Sequence, residues 1–147
     1  MSIRQAIETD VVKISSLVKS LAHFYLDAPE NELPVWLSQT LTESAFSERI
    51  SSESYKNYVY EKDMEIIGYI SLKKPNHLYH LFVSERFQGK GIARLLWEHL
   101  KKNDPSASFF LRSSVYAIPV YKRFGFFESG DLGQKDGVSF QPMELTF

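Results

Sequence analysis

The sequence predicts an α/β (α+β) fold, a mixed and mostly antiparallel sheet flanked by helices, and three observations carry that prediction. The first is the stretch Leu81-Phe82-Val83-Ser84-Glu85-Arg86-Phe87-Gln88-Gly89-Lys90-Gly91-Ile92-Ala93-Arg94-Leu95-Leu96-Trp97. An apolar strand-like run ends at Val83, a polar turn with two glycines follows, and apolar residues then recur at Ile92, Leu95, Leu96 and Leu100, the spacing of one helix face. The second is a pair of hairpin signals: Tyr58-Val59-Tyr60 before a turn at Lys62-Asp63, and Asp136-Gly137 before Val138 to Phe147. The third is size. At 147 residues, with no repeat, low-complexity run or linker, the chain reads as one domain over 1–147.

The elements follow in order. Ser2 to Ala6 reads as a short first strand, and Thr9 or Asp10 can cap a helix with apolar residues Ile14, Leu17, Val18, Leu21 and Tyr25 that ends before Pro29. Ala28 to Pro34 is acidic and turn-like. A second helix is predicted from Val35 to about Ile50, with Trp36, Leu37, Leu41 and Phe46 facing inward. Met64 to Leu72 is rich in β-branched and aromatic residues and returns the first hairpin. Pro75-Asn76 breaks the chain before a strand at His77 to Val83, and Asp104-Pro105 ends the long helix. A strand at Ala107 to Arg112, a short helix at Tyr116 to Phe124 and a strand at Phe126 to Ser129 precede the last hairpin.

Composition excludes several classes. The net charge of -1 argues against a nucleic-acid or membrane-surface protein held by bulk electrostatics. Without cysteine there is no disulfide, no thiolate metal site and no cysteine nucleophile. The histidines and carboxylates show no metal-ligand spacing, and no stretch is apolar enough for a signal core or a membrane span, so the expectation is a cytoplasmic protein without metal.

The glycine turn is where chemistry concentrates. Amides in the first turn of a helix lack partners within the helix and sit at the positive end of its dipole, so they attract phosphate. Gly89 and Gly91 carry no Cβ to hold a ligand away, and Lys90 and Arg94 add positive charge. A P-loop needs Ser or Thr after Gly-Lys, and Gly91 stands there; a dinucleotide fingerprint needs a third glycine where Arg94 stands. Gln88-x-x-Gly91-x-Ala93 instead resembles the acetyl-CoA signature of the GNAT-type N-acetyltransferase superfamily. Downstream, Ser114-Val115-Tyr116-Ala117-Ile118-Pro119-Val120-Tyr121-Lys122-Arg123-Phe124-Gly125-Phe126 resembles the superfamily's later motif at its Ala, Tyr, Gly and Phe positions. The resemblance is close over residues 77 to 126, and the flanks agree in element order.

The resemblance implies a GNAT-like acyl-CoA N-acyltransferase fold and transfer of acetyl from acetyl-CoA to an amine. It implies that Gln88, Gly89, Lys90, Gly91, Ile92, Ala93 and Arg94 meet the pyrophosphate, and that backbone groups of Leu81, Phe82 and Val83 hold the pantetheine arm where this strand diverges from the next. An amide such as that of Phe82 would stabilise the developing oxyanion. Ser114 replaces the motif's usual Asn with a shorter group that has one donor fewer. Tyr121 takes the place of the tyrosine that protonates or hydrogen-bonds the departing thiolate. Full proton transfer from a phenol near 10 to a thiolate near 8.5 is uphill by roughly 2 kcal/mol, which favours hydrogen bonding or a locally lowered tyrosine pKa.

A lysine-type amine is almost wholly protonated at neutral pH, so a proton acceptor helps. Counted back from Gln88, His77 falls where histone-modifying members carry a glutamate base, so the resemblance implies His77 as base, acting through a water. His80 is the reserve and faces the other way by strand alternation. With no cysteine and no serine motif for an acyl-enzyme, direct attack in a ternary complex is the implied route. A non-catalytic acyl-CoA-binding or regulatory module stays open as the alternative. By analogy, Phe24, Tyr25, Asp27, Glu30, Glu32 and Trp36 surround the acceptor, a small-molecule or peptide amine, and their acids would suit a cation. A late exposed strand can pair with a copy of itself, which leaves a homodimer open.

Overall fold

The computed structural model describes residues 2–147. Eight strands form one sheet: β1 (Ser2–Gln5), β2 (Tyr55–Lys62), β3 (Glu65–Lys73), β4 (His77–Val83), β5 (Ser108–Ser114), β6 (Phe127–Glu128), β7 (Gly133–Lys135) and β8 (Val138–Thr146). Their order is β1-β2-β3-β4-β5-β8-β6, with β7 also pairing with β8. Every pairing is antiparallel except β4 with β5, so the sheet is mixed and mostly antiparallel as the sequence predicts.

Helices cover both faces. On one side lie α1 (Val11–Leu21), α2 (Val35–Gln39) and α3 (Glu43–Ser51), whose Ile14, Val18, Leu37 and Phe46 pack with Tyr69 and Phe82 of the sheet. On the other lie α4 (Ile92–Lys102) and α5 (Ile118–Phe124), where Leu96, Trp97, Leu100 and Tyr121 meet Ile70, Leu72, Phe109 and Met143. Leu96, Trp97 and Leu100 are fully buried. Burial at roughly 2 kcal/mol for a large apolar side chain fixes α4 tightly on the sheet. Gly68 of β3 allows the close approach: a Cβ there would stand 2.8 Å from Leu96 Cδ1.

Two expectations are corrected. The helix predicted over Val35 to Ile50 is two helices, because Thr40 and Thr42 turn their hydroxyls to the backbone. Thr40 Oγ1 donates to the Leu37 carbonyl, and Thr42 Oγ1 accepts from the Ala45 amide to cap α3. Leu41 between them is buried as expected, and Trp36 is half-buried with Nε1 donating to Asp136. On α4 the inward face is Ile92, Leu96, Trp97 and Leu100; Leu95 points outward and is half exposed. A tryptophan at 97 buries more surface than a leucine at 95 and sets the helix rotation.

Asp10 also differs from its predicted role. It precedes α1 without capping it, and its carboxylate accepts instead from the Ile7 amide at 2.8 Å and from both terminal nitrogens of Arg4 at 2.8 and 2.9 Å. Arg4 also bonds Glu61 of β2. This network joins the edge of the sheet to the start of α1.

Candidate active site

The site begins where two parallel strands part. β4 and β5 share one register pair, His77 opposite Phe110, and Phe110 N–H donates to the Asn76 carbonyl at 3.1 Å. Beyond that pair no register continues between them. The cause lies in β4. Its pairing with β3 runs from Ser71 opposite His80 to Leu72 opposite Leu78, so Tyr79 is an extra residue, a bulge that bends the strand. A cleft of about 790 Å³ opens in the gap.

Its far end is the mouth of α4. Gly91 is the N-cap, in the left-handed region at φ 82°, and no side chain caps the helix. The first turn contains no acidic residue. Gln88, Gly89, Gly91, Ile92, Ala93 and Arg94 all line the cleft, as do Leu81, Phe82 and Val83 from β4 and Ser114 from β5. Arg94 reaches across to donate to the Arg123 carbonyl at 2.8 Å, which ties α4 to the end of α5. Lys90 departs from expectation. It is exposed, its ammonium leans over the Phe87 ring at 5.6 Å, and only its backbone is placed at the helix mouth.

Tyr121 lines the same cleft from α5. Its ring packs edge-on against Phe124 and Phe126, and its hydroxyl has no hydrogen-bond partner among the described residues. Burial pushes its pKa up from the ordinary value. That direction is opposite to a locally lowered tyrosine pKa and favours the hydrogen-bonding role. Ser114 has its hydroxyl engaged, accepting from the Ala117 amide at 3.2 Å at the entry to α5.

The two histidines are placed differently from expectation. His77 does not line the cleft; its ring stacks on Phe110 at 4.5 Å, at the closed end where β4 and β5 are still paired. Desolvation lowers its pKa, with Arg112 and Lys73 adding to the shift. Strand alternation predicts His80 on the opposite face. The bulge cancels that: His77 opposes Lys73 and His80 opposes Ser71, so both point the same way. His80 is buried among Phe46, Tyr69, Tyr79 and Phe82, and desolvation, with help from Arg49, drives its pKa well down.

The acceptor half also needs correction. Phe24 and Tyr25 line the cleft, but Asp27, Glu30, Glu32 and Trp36 do not. Asp27 instead accepts from Gln134 of the last hairpin at 2.7 Å. Among the described residues that line the cleft there is no aspartate, glutamate, lysine or histidine.

Among the lining residues that sequence reasoning did not assign to the site are Tyr79, Arg112 and Tyr116. Arg112 was within reach of strand alternation, since it stands two residues before Ser114 on β5 and shares its face. Tyr116 stacks on Phe24 at 4.3 Å and donates to Gln88 Oε1 at 3.0 Å, while Gln88 Nε2 donates to the Val83 carbonyl. That contact ties the 3-10 turn Ala22–Tyr25, which continues α1, to the helix mouth across the cleft.

Comparison with known proteins agrees with this geometry. A family model described as an acetyltransferase (GNAT) domain matches residues 25–147. No curated protein matches the sequence. Among solved structures, a GCN5-related N-acetyltransferase from Rhodopseudomonas palustris superposes with a TM-score of 0.80 at 17% identity, covering 99% of this chain and 95% of that one. The PaiA N-acetyltransferase from Thermoplasma acidophilum, solved with coenzyme A, gives 0.77 at 18% identity over 99% and 98%. Spermidine N-acetyltransferase from Vibrio cholerae gives 0.71 at 18% identity over 99% and 95%. At these identities the likeness is one of fold. The splayed strands, the uncapped helix mouth, the two sequence motifs and the family match lead to one statement: the chain belongs to the GNAT acetyltransferase family.

Proposed function

We propose that the protein is an N-acetyltransferase that moves the acetyl group of acetyl-CoA directly to an amine held in the same cleft. The observation that carries this reading is that the uncapped mouth of α4 and the unpartnered hydroxyl of Tyr121 line one cleft, with no acidic side chain among the described lining residues. A polyanionic cofactor meets amides and Arg94 there, and no like charge.

The residues divide as follows. Amides from Gly89 to Ala93 hold the pyrophosphate, and the edge of β4 over Leu81 to Val83, unpaired toward β5, holds the extended arm. Ser114 faces that arm from the other strand through its remaining hydroxyl proton. Acetyl-CoA, when bound, supplies an activated thioester. The amine lone pair forms the new C–N bond as the C–S bond breaks, the sulfur departs as thiolate and the ammonium proton leaves to water. Tyr121, kept neutral by burial, donates a hydrogen bond to the sulfur as charge gathers there. Neither histidine is given the proton: His77 sits outside the lining and His80 in the core.

A non-catalytic acyl-CoA-binding module would keep the helix mouth and have no use for a buried phenol beside it. Calorimetry with acetyl-CoA, followed by free-thiol release across a panel of primary amines, separates the two. Binding with thiol released above the acceptor-free rate is the expected result. Binding with no amine-dependent release leaves the module; no binding removes both.

A further inference from the structure

The acceptor half of the cleft has a charge pattern of its own. Arg112 lines it from β5, is exposed, and makes no ion pair or hydrogen bond among the described residues; the Phe140 ring lies 5.8 Å from its guanidinium carbon, and its charge also acts on His77. From the pair His77 and Phe110, two steps along each parallel strand place Arg112 level with Tyr79, just where the strands part. The mouth of α4 lies past Val83, four residues and about 13 Å further along β4. Arg112 is therefore at the end of the cleft away from the phosphate cradle. Around it the walls are aromatic: Tyr79, and Tyr25 edge-on to Phe82 at 5.9 Å; the Phe24–Tyr116 stack stands nearer the helix mouth.

A polyamine or lysine side chain entering here would bring a second cation toward an arginine, and among the described lining residues it would find no carboxylate to offset the cost. A carboxylate has the opposite experience. The guanidinium fork matches a planar carboxylate through two parallel hydrogen bonds, and one arginine matches one negative charge better than it matches a phosphate dianion. The aromatic walls suit a flat or branched apolar body. We infer that the acceptor is a small amine that also carries a carboxylate, with the chemistry of an apolar or aromatic amino acid, and that Arg112 holds its carboxylate. This rests on the acetyltransferase reading for its reaction: the amine gains the acetyl group, the product is the N-acetyl amino acid, and coenzyme A leaves as the thiol after taking a proton from water.

The test uses a matched pair, L-phenylalanine and 2-phenylethylamine, which differ by the carboxylate alone, with spermidine as the polycation. Binding of each to the protein saturated with coenzyme A is measured by calorimetry, and thiol release with acetyl-CoA is measured separately. L-phenylalanine is expected to bind about tenfold to a hundredfold more tightly than 2-phenylethylamine. Arg112→Ala should erase that ratio, and Arg112→Lys should restore only part of it; coenzyme A affinity in each variant reports that it is folded. Equal binding of the pair, tighter binding of spermidine, or a ratio unchanged in Arg112→Ala overturns the inference. Thiol release equal with both amines also overturns it and leaves the enzyme reading standing. Carboxylate-dependent binding without thiol release supports the subsite and overturns the enzyme.

Discussion

Tyr121 shows how burial decides a mechanism. In water a phenol and a thiolate are already mismatched by roughly 2 kcal/mol for proton transfer, and desolvation of Tyr121 widens the gap. In the proposed reaction the residue therefore offers a hydrogen bond to growing charge on sulfur. Tyr121→Phe should lower kcat by about tenfold to a hundredfold, the worth of one charge-assisted hydrogen bond, with acetyl-CoA affinity nearly unchanged. Steady-state kinetics beside calorimetry read both, and an unaltered kcat would remove the residue from the reaction. His77 makes the complementary case. Its imidazole is held below its ordinary pKa by desolvation and nearby cations, and it stacks on Phe110 outside the cleft lining. His77→Ala should therefore leave the pH profile of kcat/KM in place, rising with deprotonation of the acceptor amine. A limb lost at or below about pH 6.5 would restore the histidine as base.

Helix α4 joins the core to the cleft. Leu96, Trp97 and Leu100 pin it to the sheet, and that rigidity aims its first-turn amides into the cleft. Gly91 is suited to the mouth by its left-handed backbone, which costs a side-chain-bearing residue about 1 kcal/mol. Gly91→Glu adds a negative charge where phosphate should lie, so acetyl-CoA should bind about tenfold more weakly or worse, and more weakly than to Gly91→Ala. Calorimetry on the two variants separates charge from backbone strain; parental affinity in Gly91→Glu would detach the helix mouth from cofactor binding. This element was legible in the sequence because its signal is local: a strand, two glycines and a helix period within one short stretch. The facing of Leu95 was not, because two apolar residues competed for one face and only packing against Phe109 and Phe126 decided for Trp97.

Across the molecule, the sheet, the positions of both motifs and the glycine-lined end of the cleft follow from periodicity and turn chemistry in the chain. The proposed acceptor end does not, since it is assembled from the 3-10 turn Ala22–Tyr25, the middle of β4 and the face of β5. Asp27 and Glu32 are near Tyr25 in sequence, yet the docking of Leu26 on Val138 and of Asp27 on Gln134 carries that segment to the last hairpin and away from the cleft. Long-range ties of this kind also set the response to acid. Hydrogen bonds from Arg4 hold the Asp10 carboxyl below its ordinary pKa, against the opposing effect of desolvation. A folded pKa below the unfolded value near 3.9 means that its stabilisation is full above about pH 4 and is lost as pH falls through the folded value. Asp10→Asn should cost about 1–3 kcal/mol at neutral pH and flatten the acid limb of a thermal-stability profile. A limb as steep as the parent's would place the acid sensitivity elsewhere.

The extra residue at Tyr79 has a consequence beyond bending β4. It shifts the in-and-out frame of the strand midway, leaving the segment next to the helix mouth in one frame and the segment beside Arg112 in another. Deleting it would leave Leu78 opposite Leu72 and His77 opposite Lys73, so no side chain would change face; what would go is the bend. One amino acid thus holds two neighbouring strands apart, and removing it would let β4 run on beside β5 and narrow the opening between them.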